Sequence, residues 1–304
     1  MHLVSRHWAR HAACDSLWAF LCSDRGFEAS RLSRRITLKE SYRIQAKQQK
    51  LIARICSNKL LLFNCSTRKA RTVHLETIVP TENNHRLVFV PDDSIILVGG
   101  SLSAWKLSEM TYWIRMDGSM LELKPILDPR KDHGMILWQG HIYVFGGFDL
   151  NAMMKSSEKL QLDPLAKLST AVWTQLPDMM HERANFCPVA YASKIYLCGG
   201  NRQYIEALDT VQECYYELSF RLPQGLWYSG IGLKRELLIF NYQAVLRWKL
   251  NSVVYEERKF VNQGYYLYDQ MSPAVVENTA YQLAGDNTVN AYSIGSRKFA
   301  KIGY

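Results

Sequence analysis

Short apolar runs that end on a glycine pair punctuate the chain. The clearest is IYVFGG, from Ile142 to Gly147, and it recurs as IILVGG from Ile95 and IYLCGG from Ile195. Degraded copies follow the same template: LLLFNC from Leu60, LLIFNY from Leu237 and AYQLAG from Ala280. The fifth positions of the six copies are Asn64, Gly99, Gly146, Gly199, Asn241 and Ala284, spaced by 35, 47, 53, 42 and 43 residues. An apolar run of this length predicts a strand. A repeat of that period, built from short strands, predicts a propeller array rather than a mixed α/β domain.

Around each run the polar positions complete the unit. An apolar strand and a tight polar turn precede it; Ser57-Asn58-Lys59, Gln139-Gly140 and Ala192-Ser193-Lys194 are examples of such turns. A loop and a third strand follow, read as TVHLETI from Thr72, YWIRMD from Tyr112, EKLQLD from Glu158, VQECYYEL from Val211, AVLRWKL from Ala244 and VNAYSI from Val289. A fourth strand is clearest as VWTQL from Val172. Four antiparallel strands per unit, six times over, cannot bury both faces of any unit alone, so the units must stack around an axis. A β-sandwich is the alternative, and the even repeat argues against it. Gly99, Gly100, Gly146, Gly147, Gly199 and Gly200 read as structural, because glycine permits the positive φ of a chain that leaves a strand sharply. Asn64 and Asn241 also tolerate positive φ, so the degraded units keep the turn.

The first fifty residues have a different character. Trp8, Ala12, Trp18 and Leu21 are apolar among charged neighbours, and Asp15-Ser16 reads as a break and N-cap between two short helices. Net charge is +9, and residues 1–80 hold 15 Lys/Arg against 5 Asp/Glu, so the basic excess lies at the N-terminal end. Arg31, Arg34, Arg35, Lys39, Arg43, Lys47 and Lys50 read as a solvated linker helix; they lack the aromatic interleave that stacks bases. The division is thus 1–50, helical and basic, and 51–304, the propeller. The seven cysteines form no CxxC pair, and Cys56, Cys187 and Cys198 sit in apolar strand patterns, as small hydrophobes do. No apolar run is long enough to span a membrane, and no signal-peptide pattern opens the sequence. A cytoplasmic or nuclear compartment is the expectation.

Two resemblances sharpen this reading. VSRHWARHAACDSLWAFLC, from Val4 to Cys22, resembles the second half of an F-box, and TLKESYR, from Thr37 to Arg43, resembles the tail that follows one, with Leu38 in place of the usual tryptophan. The resemblance implies that Val4, Trp8, Leu17, Trp18 and Leu21 contact a Skp-type adaptor. An F-box begins with a leucine-proline helix some twenty residues earlier, so adaptor binding by the 304-residue chain is expected to be weak. The middle units resemble kelch motifs: from Trp173 to Gly200 the order is tryptophan, leucine, proline, Met180, Arg183 and IYLCGG, with Arg183 sixteen residues before Gly199 and Arg130 sixteen before Gly146. The kelch resemblance implies a ligand face made by two loop sets. The loops after the glycine position supply Ser101, Phe148, Asn201, Arg202, Tyr242 and Asp286. The loops before each first strand supply Lys131, Asp132, His133, Arg183 and Asn185, with His85 and Arg86 as weaker members. Arg130 and Arg183 are equally placed to brace the ring by hydrogen bonds.

Catalytic patterns are absent. No HExxH or GxSxG motif occurs, the eight histidines are scattered, and no glycine loop is followed by Lys-Ser/Thr. The expectation is a monomeric, non-enzymatic interaction protein with no metal or cofactor. By resemblance it recruits client proteins to an SCF-type cullin–RING ubiquitin ligase. A kelch scaffold or cytoskeleton-associated protein is the alternative, and RNA association through the basic segment a third reading.

Overall fold

The computed structural model describes residues 51–303, apart from 80–83, 91–93, 163–170, 224–227, 234–235, 242–243, 251–254, 260–272, 277 and 284–287. Residues 1–50, expected from the sequence to be helical and F-box-like, lie outside the described residues. The first sheet contains β1 (Leu51–Cys56), β2 (Lys59–Asn64) and β3 (Lys69–His74). The second contains β4 (Arg86–Val90) and β5 (Ser94–Val98), a small hairpin of β6 (Ser101–Ser103) and β7 (Lys106–Leu107), then β8 (Thr111–Ile114) and β9 (Met120–Leu123). The third runs β10 (Gly134–Trp138), β11 (His141–Phe145), β12 (Ser157–Gln161) and β13 (Trp173–Leu176). The fourth runs β14 (Phe186–Tyr191), β15 (Lys194–Gly199), β16 (Tyr204–Asp209) and β17 (Cys214–Arg221). The fifth holds β18 (Ser229–Leu233), β19 (Glu236–Phe240), β20 (Ala244–Lys249) and β21 (Tyr255–Lys259). The sixth holds β22 (Ala274–Val276), β23 (Thr279–Leu283), β24 (Thr288–Ser293) and β25 (Phe299–Gly303). Every pairing is antiparallel, and each sheet is ordered along the chain from its first strand to its last.

These six sheets are the blades of a β-propeller. The packing shows why the second strands are mostly apolar. Along β5, Ile95 and Leu97 pack against the first blade, while Ile96 and Val98 pack against the third. Along β11, Ile142 and Val144 face backwards, and Tyr143 and Phe145 face forwards to the fourth blade. β15 and β19 repeat the arrangement. A strand with a neighbouring blade on both faces loses the polar half of the period-2 pattern. The ring closes because Ile52, Phe63 and Cys65 of the first blade share a core with Ala274, Tyr281, Leu283, Val289 and Ala291 of the sixth. Among the described residues closure rests on blade-to-blade packing, and the last four strands are consecutive in the chain.

Several sequence expectations need correction. VQECYYEL was read as a third strand; the third strand of the fourth blade is Tyr204–Asp209, and Val211–Glu213 turn into the fourth. Asp209 Oδ1 accepts from the backbone N–H groups of Val211 and Gln212, which fixes that turn. The first blade was expected to carry four strands, and among the described residues it carries three. Leu75 and Val79 bury in the core between blades one and two, and residues 75–79 form no strand. Cys56 is exposed, whereas Cys187 and Cys198 are buried as expected. The six repeat glycines all have positive φ. Asn64 and Asn241 do not; their side chains make the turn instead. Asn64 Oδ1 accepts from Ser66 and Thr67 N–H, and Asn241 Oδ1 accepts from Ala244 N–H.

Candidate functional site

The loops after each second strand and the loops before each first strand meet at one end of the ring. Lys131 and Phe148, one from each set, exchange backbone hydrogen bonds: Phe148 N donates to Lys131 O at 2.8 Å and Lys131 N to Phe148 O at 3.1 Å. Gly100 N donates to Arg130 O at 2.9 Å, and Gly147 N to Arg183 O at 2.7 Å, each across a blade boundary. A Cβ on Gly99 or Gly146 would lie 2.6 or 2.4 Å from those same carbonyl oxygens, so the close approach demands glycine as much as the φ does.

Under this face lie two matching ionic brackets. Arg130 Nη1 donates to the carbonyls of Gly146 and Ser156, and Nη2 meets Glu158 Oε1 at 2.6 Å. Glu158 also accepts from Leu127 and Asp128 N–H. In the next blade Arg183 Nη1 donates to Gly199 O, Nε and Nη2 meet Glu206 Oε1 at 3.0 Å, and Glu206 accepts from Met180 and His181 N–H. Both arginines are fully buried. Burial pulls each guanidinium below its usual pKa, and the facing carboxylate pushes it back up. Each bracket ties the incoming loop, the glycine carbonyl and the third strand of one blade together. The shared sixteen-residue offset is the sequence trace of that geometry. Arg183, placed by sequence on the binding face, therefore presents no side chain to a partner.

Asp132 and His133 are also buried. Asn84 Nδ2 donates to Asp132 Oδ2 at 3.2 Å, Asp132 N donates to Asn84 O, and Asn185 N to Asp132 O, so one hydrogen-bonded thread links three blades near the inner strands. Asn84, Asp132 and Asn185 share a positive φ between 55 and 63°. His133 is enclosed, and neither ring nitrogen has a hydrogen-bond partner among the described residues. Burial, then the positive charges of Arg86 and Arg130 and the neighbouring His85, hold its pKa well below the usual histidine value. Desolvation raises the Asp132 carboxyl. His85 is buried and Arg86 half-buried, with its Nε donating to His133 O at 2.7 Å.

What remains at the surface is Asn201, exposed, and Ser101, Phe148, Lys131, Asn185 and Arg202, half-buried. Arg202 pairs with Glu182. Tyr242 and Asp286 lie outside the described residues. Sequence reasoning missed the most prominent group on this face, Trp105, which is 86% exposed on the turn of the β6–β7 hairpin. Its signal was a lone tryptophan in a serine-rich loop just past a glycine pair. Leu150, in another loop after a glycine pair, and Leu127 and Met180, in loops before a first strand, are also exposed. On the fourth blade, His181 stacks on Tyr204 with centroids 5.4 Å apart, Arg221 lies 3.4 Å from the Tyr204 ring centroid, and Glu217 meets His181 Nε2 at 2.8 Å. Exposed aromatic, methionine and arginine groups on a rigid frame are the composition of protein-binding surfaces. Among the described residues no three His, Cys, Asp or Glu side chains cluster as metal ligands, and no helix is long and apolar enough to cross a membrane.

No family model matches the chain. A stretch of 131 residues, 40% of the chain, is 24% identical to part of Spermatocyte protein spe-26 of Caenorhabditis elegans, of whose length the match covers 22%.

Proposed function

We propose that this chain is a non-catalytic protein-interaction module: a kelch-type propeller that holds a client protein on its glycine-pair face, with an F-box-like segment that links the client to an SCF-type cullin–RING ligase. The observation that carries the reading is the loop face itself. Buried Arg–Glu brackets make its base rigid, and Trp105, Leu150 and Met180 stand exposed upon it. A rigid base lowers the ordering cost of binding, and an exposed tryptophan is a strong anchor once a partner covers it. The brackets and the sixteen-residue offset support the kelch assignment, and the motif from Val4 to Cys22 supports the F-box half.

The test has two arms. Purified Skp-type adaptor is titrated against the full chain and against a Trp8→Ala/Trp18→Ala variant. Weak binding that the variant abolishes supports the ligase role; no difference between the two leaves a kelch scaffold. Client binding is read by quantitative cross-linking of the full chain and of Trp105→Ser. Cross-links that stay on the β6–β7 hairpin and the Phe148–Met153 loop, and fall in the variant, support the face; cross-links on the opposite face overturn it.

A further inference from the structure

Blades two to six each present a fourth strand at the rim. Among the described residues the first blade ends at β3, so β3 is a sheet edge where its neighbours have one more strand. The two-residue turn between Cys56 and Lys59 sets the hydrogen-bond alternation across the blade. Carried through the β2–β3 register, it directs the backbone of Lys69, Arg71 and Val73 to β2, and that of Ala70, Thr72 and His74 outward. The lower end is closed: Glu76 N donates to Gly118 O at 3.0 Å, and a Cβ on Gly118 would lie 2.1 Å from His74 O. The open stretch is therefore Lys69 to Val73. The fourth strands β9 and β13 are four residues each, so this length is enough for one more strand.

The charge of this edge is one-sided. Arg68, Lys69 and Arg71 are exposed, and none forms an ion pair among the described residues. The same pairing of charges occurs within the ring, where Glu256 of the fourth strand β21 lies directly opposite Arg247 of the third strand β20. We propose that the rim edge of β3 takes an acidic, extended segment of a partner protein as the fourth strand of the first blade. Main-chain hydrogen bonds to Ala70 and Thr72 supply the pairing, and Arg68, Lys69 and Arg71 select carboxylates. A second copy of this chain would set Lys69 and Arg71 against the same cations, which opposes edge-to-edge pairing. The segment before Leu51 is itself basic, with 10 Lys/Arg and 4 Asp/Glu, so its charge also disfavours it as the occupant.

The experiment is fluorescence anisotropy with the full chain and labelled peptides of about ten residues, a length that spans one strand with margins. The probe alternates Glu and Val; one control replaces its central Val with Pro, and another alternates Lys and Val. The expected result is saturable binding of the Glu–Val peptide and at least about tenfold weaker binding of both controls, because proline breaks a ladder and lysine meets like charge. Ala70→Pro removes an outward N–H and leaves the β2 ladder intact, so it should weaken binding by about tenfold at an unchanged thermal midpoint. Lys69→Glu/Arg71→Glu should reverse the preference to the Lys–Val peptide. The proposal is overturned if no peptide binds saturably, or if the proline-interrupted peptide binds as well as its parent. Undiminished affinity in a folded Ala70→Pro also overturns it, as does a sedimenting dimer that Ala70→Pro disperses.

Discussion

At the scale of single residues, the same turn is built by two devices. Gly146 reaches φ +50° and has a carbonyl where its Cβ would stand. Asn241 holds the equivalent corner with its side-chain oxygen. Gly146→Val meets both strain and a clash, at about 1–3 kcal/mol for the strain alone. Asn241→Val loses the hydrogen bond that its side chain accepts from Ala244 N–H, about 0.5–1.5 kcal/mol for that bond. Thermal melts of the two variants should show the larger drop for Gly146→Val, and equal losses would contradict the distinction. His133 gives a pH signature. Its folded pKa lies well below the ordinary value of 6.5, so below pH 6.5 the unfolded chain binds the proton that the folded chain refuses. Stability should fall as pH drops from 7 towards 5.5, with a limiting slope of about 1.4 kcal/mol per pH unit from this one group. The raised Asp132 carboxyl acts with the opposite sign, starting from its ordinary value of 3.8. Denaturant melts of His133→Gln against the parent should show a flatter profile in that window.

At the scale of elements, the Arg–Glu brackets decide how loops join blades. Removing one partner of a fully buried pair leaves an uncompensated charge, at about 3–5 kcal/mol. Arg183→Met alone should destabilise the ring by that amount in denaturant melts. Arg183→Met with Glu206→Leu should recover part of it, since no lone charge remains. The recovery stays partial because Glu206 also holds the Met180 and His181 N–H groups, and Arg183 holds the Gly199 carbonyl. The second strands behave as shared walls. Phe145 belongs to the core between blades three and four, so Phe145→Ala should cost about 3–5 kcal/mol. Hydrogen exchange should show lost protection in both blades, since the ring shows each blade's face to its neighbour.

At the scale of the whole molecule, closure is the question. Blade six packs on blade one through Phe63, Tyr281 and Leu283, and among the described residues its four strands are consecutive in the chain. A chain of residues 51–304 is therefore expected to fold, with β circular dichroism and a cooperative melt. Aggregation of that chain, or loss of its β signal, would show that residues 1–50 contribute to the ring.

How much of this was legible in the sequence follows from the range of each interaction. The apolar runs count the blades because a strand walled on both faces is mostly apolar, and in the middle units the glycine pairs mark their ends because that corner takes positive φ and leaves no room for a Cβ. Both causes are local. The third strand of the fourth blade was missed because Ile205 to Leu208 carry Glu206 among apolar neighbours; that charge is held by Arg183, twenty-three residues away, and by the Met180 and His181 N–H groups. For the same reason Arg183, Asp132 and His133 looked like surface loop residues. Their burial is set by the meeting of adjacent blades, which no local pattern records. Trp105 stays exposed on the turn of its hairpin, and among the described residues β3 is an edge, with Leu75 and Val79 after it buried in the core. Sequence alone determined the count and order of the strands' units through local backbone and burial rules. Only the tertiary structure decided which charges lie inside and which edge stays open, because those depend on partners brought together by the closing of the ring.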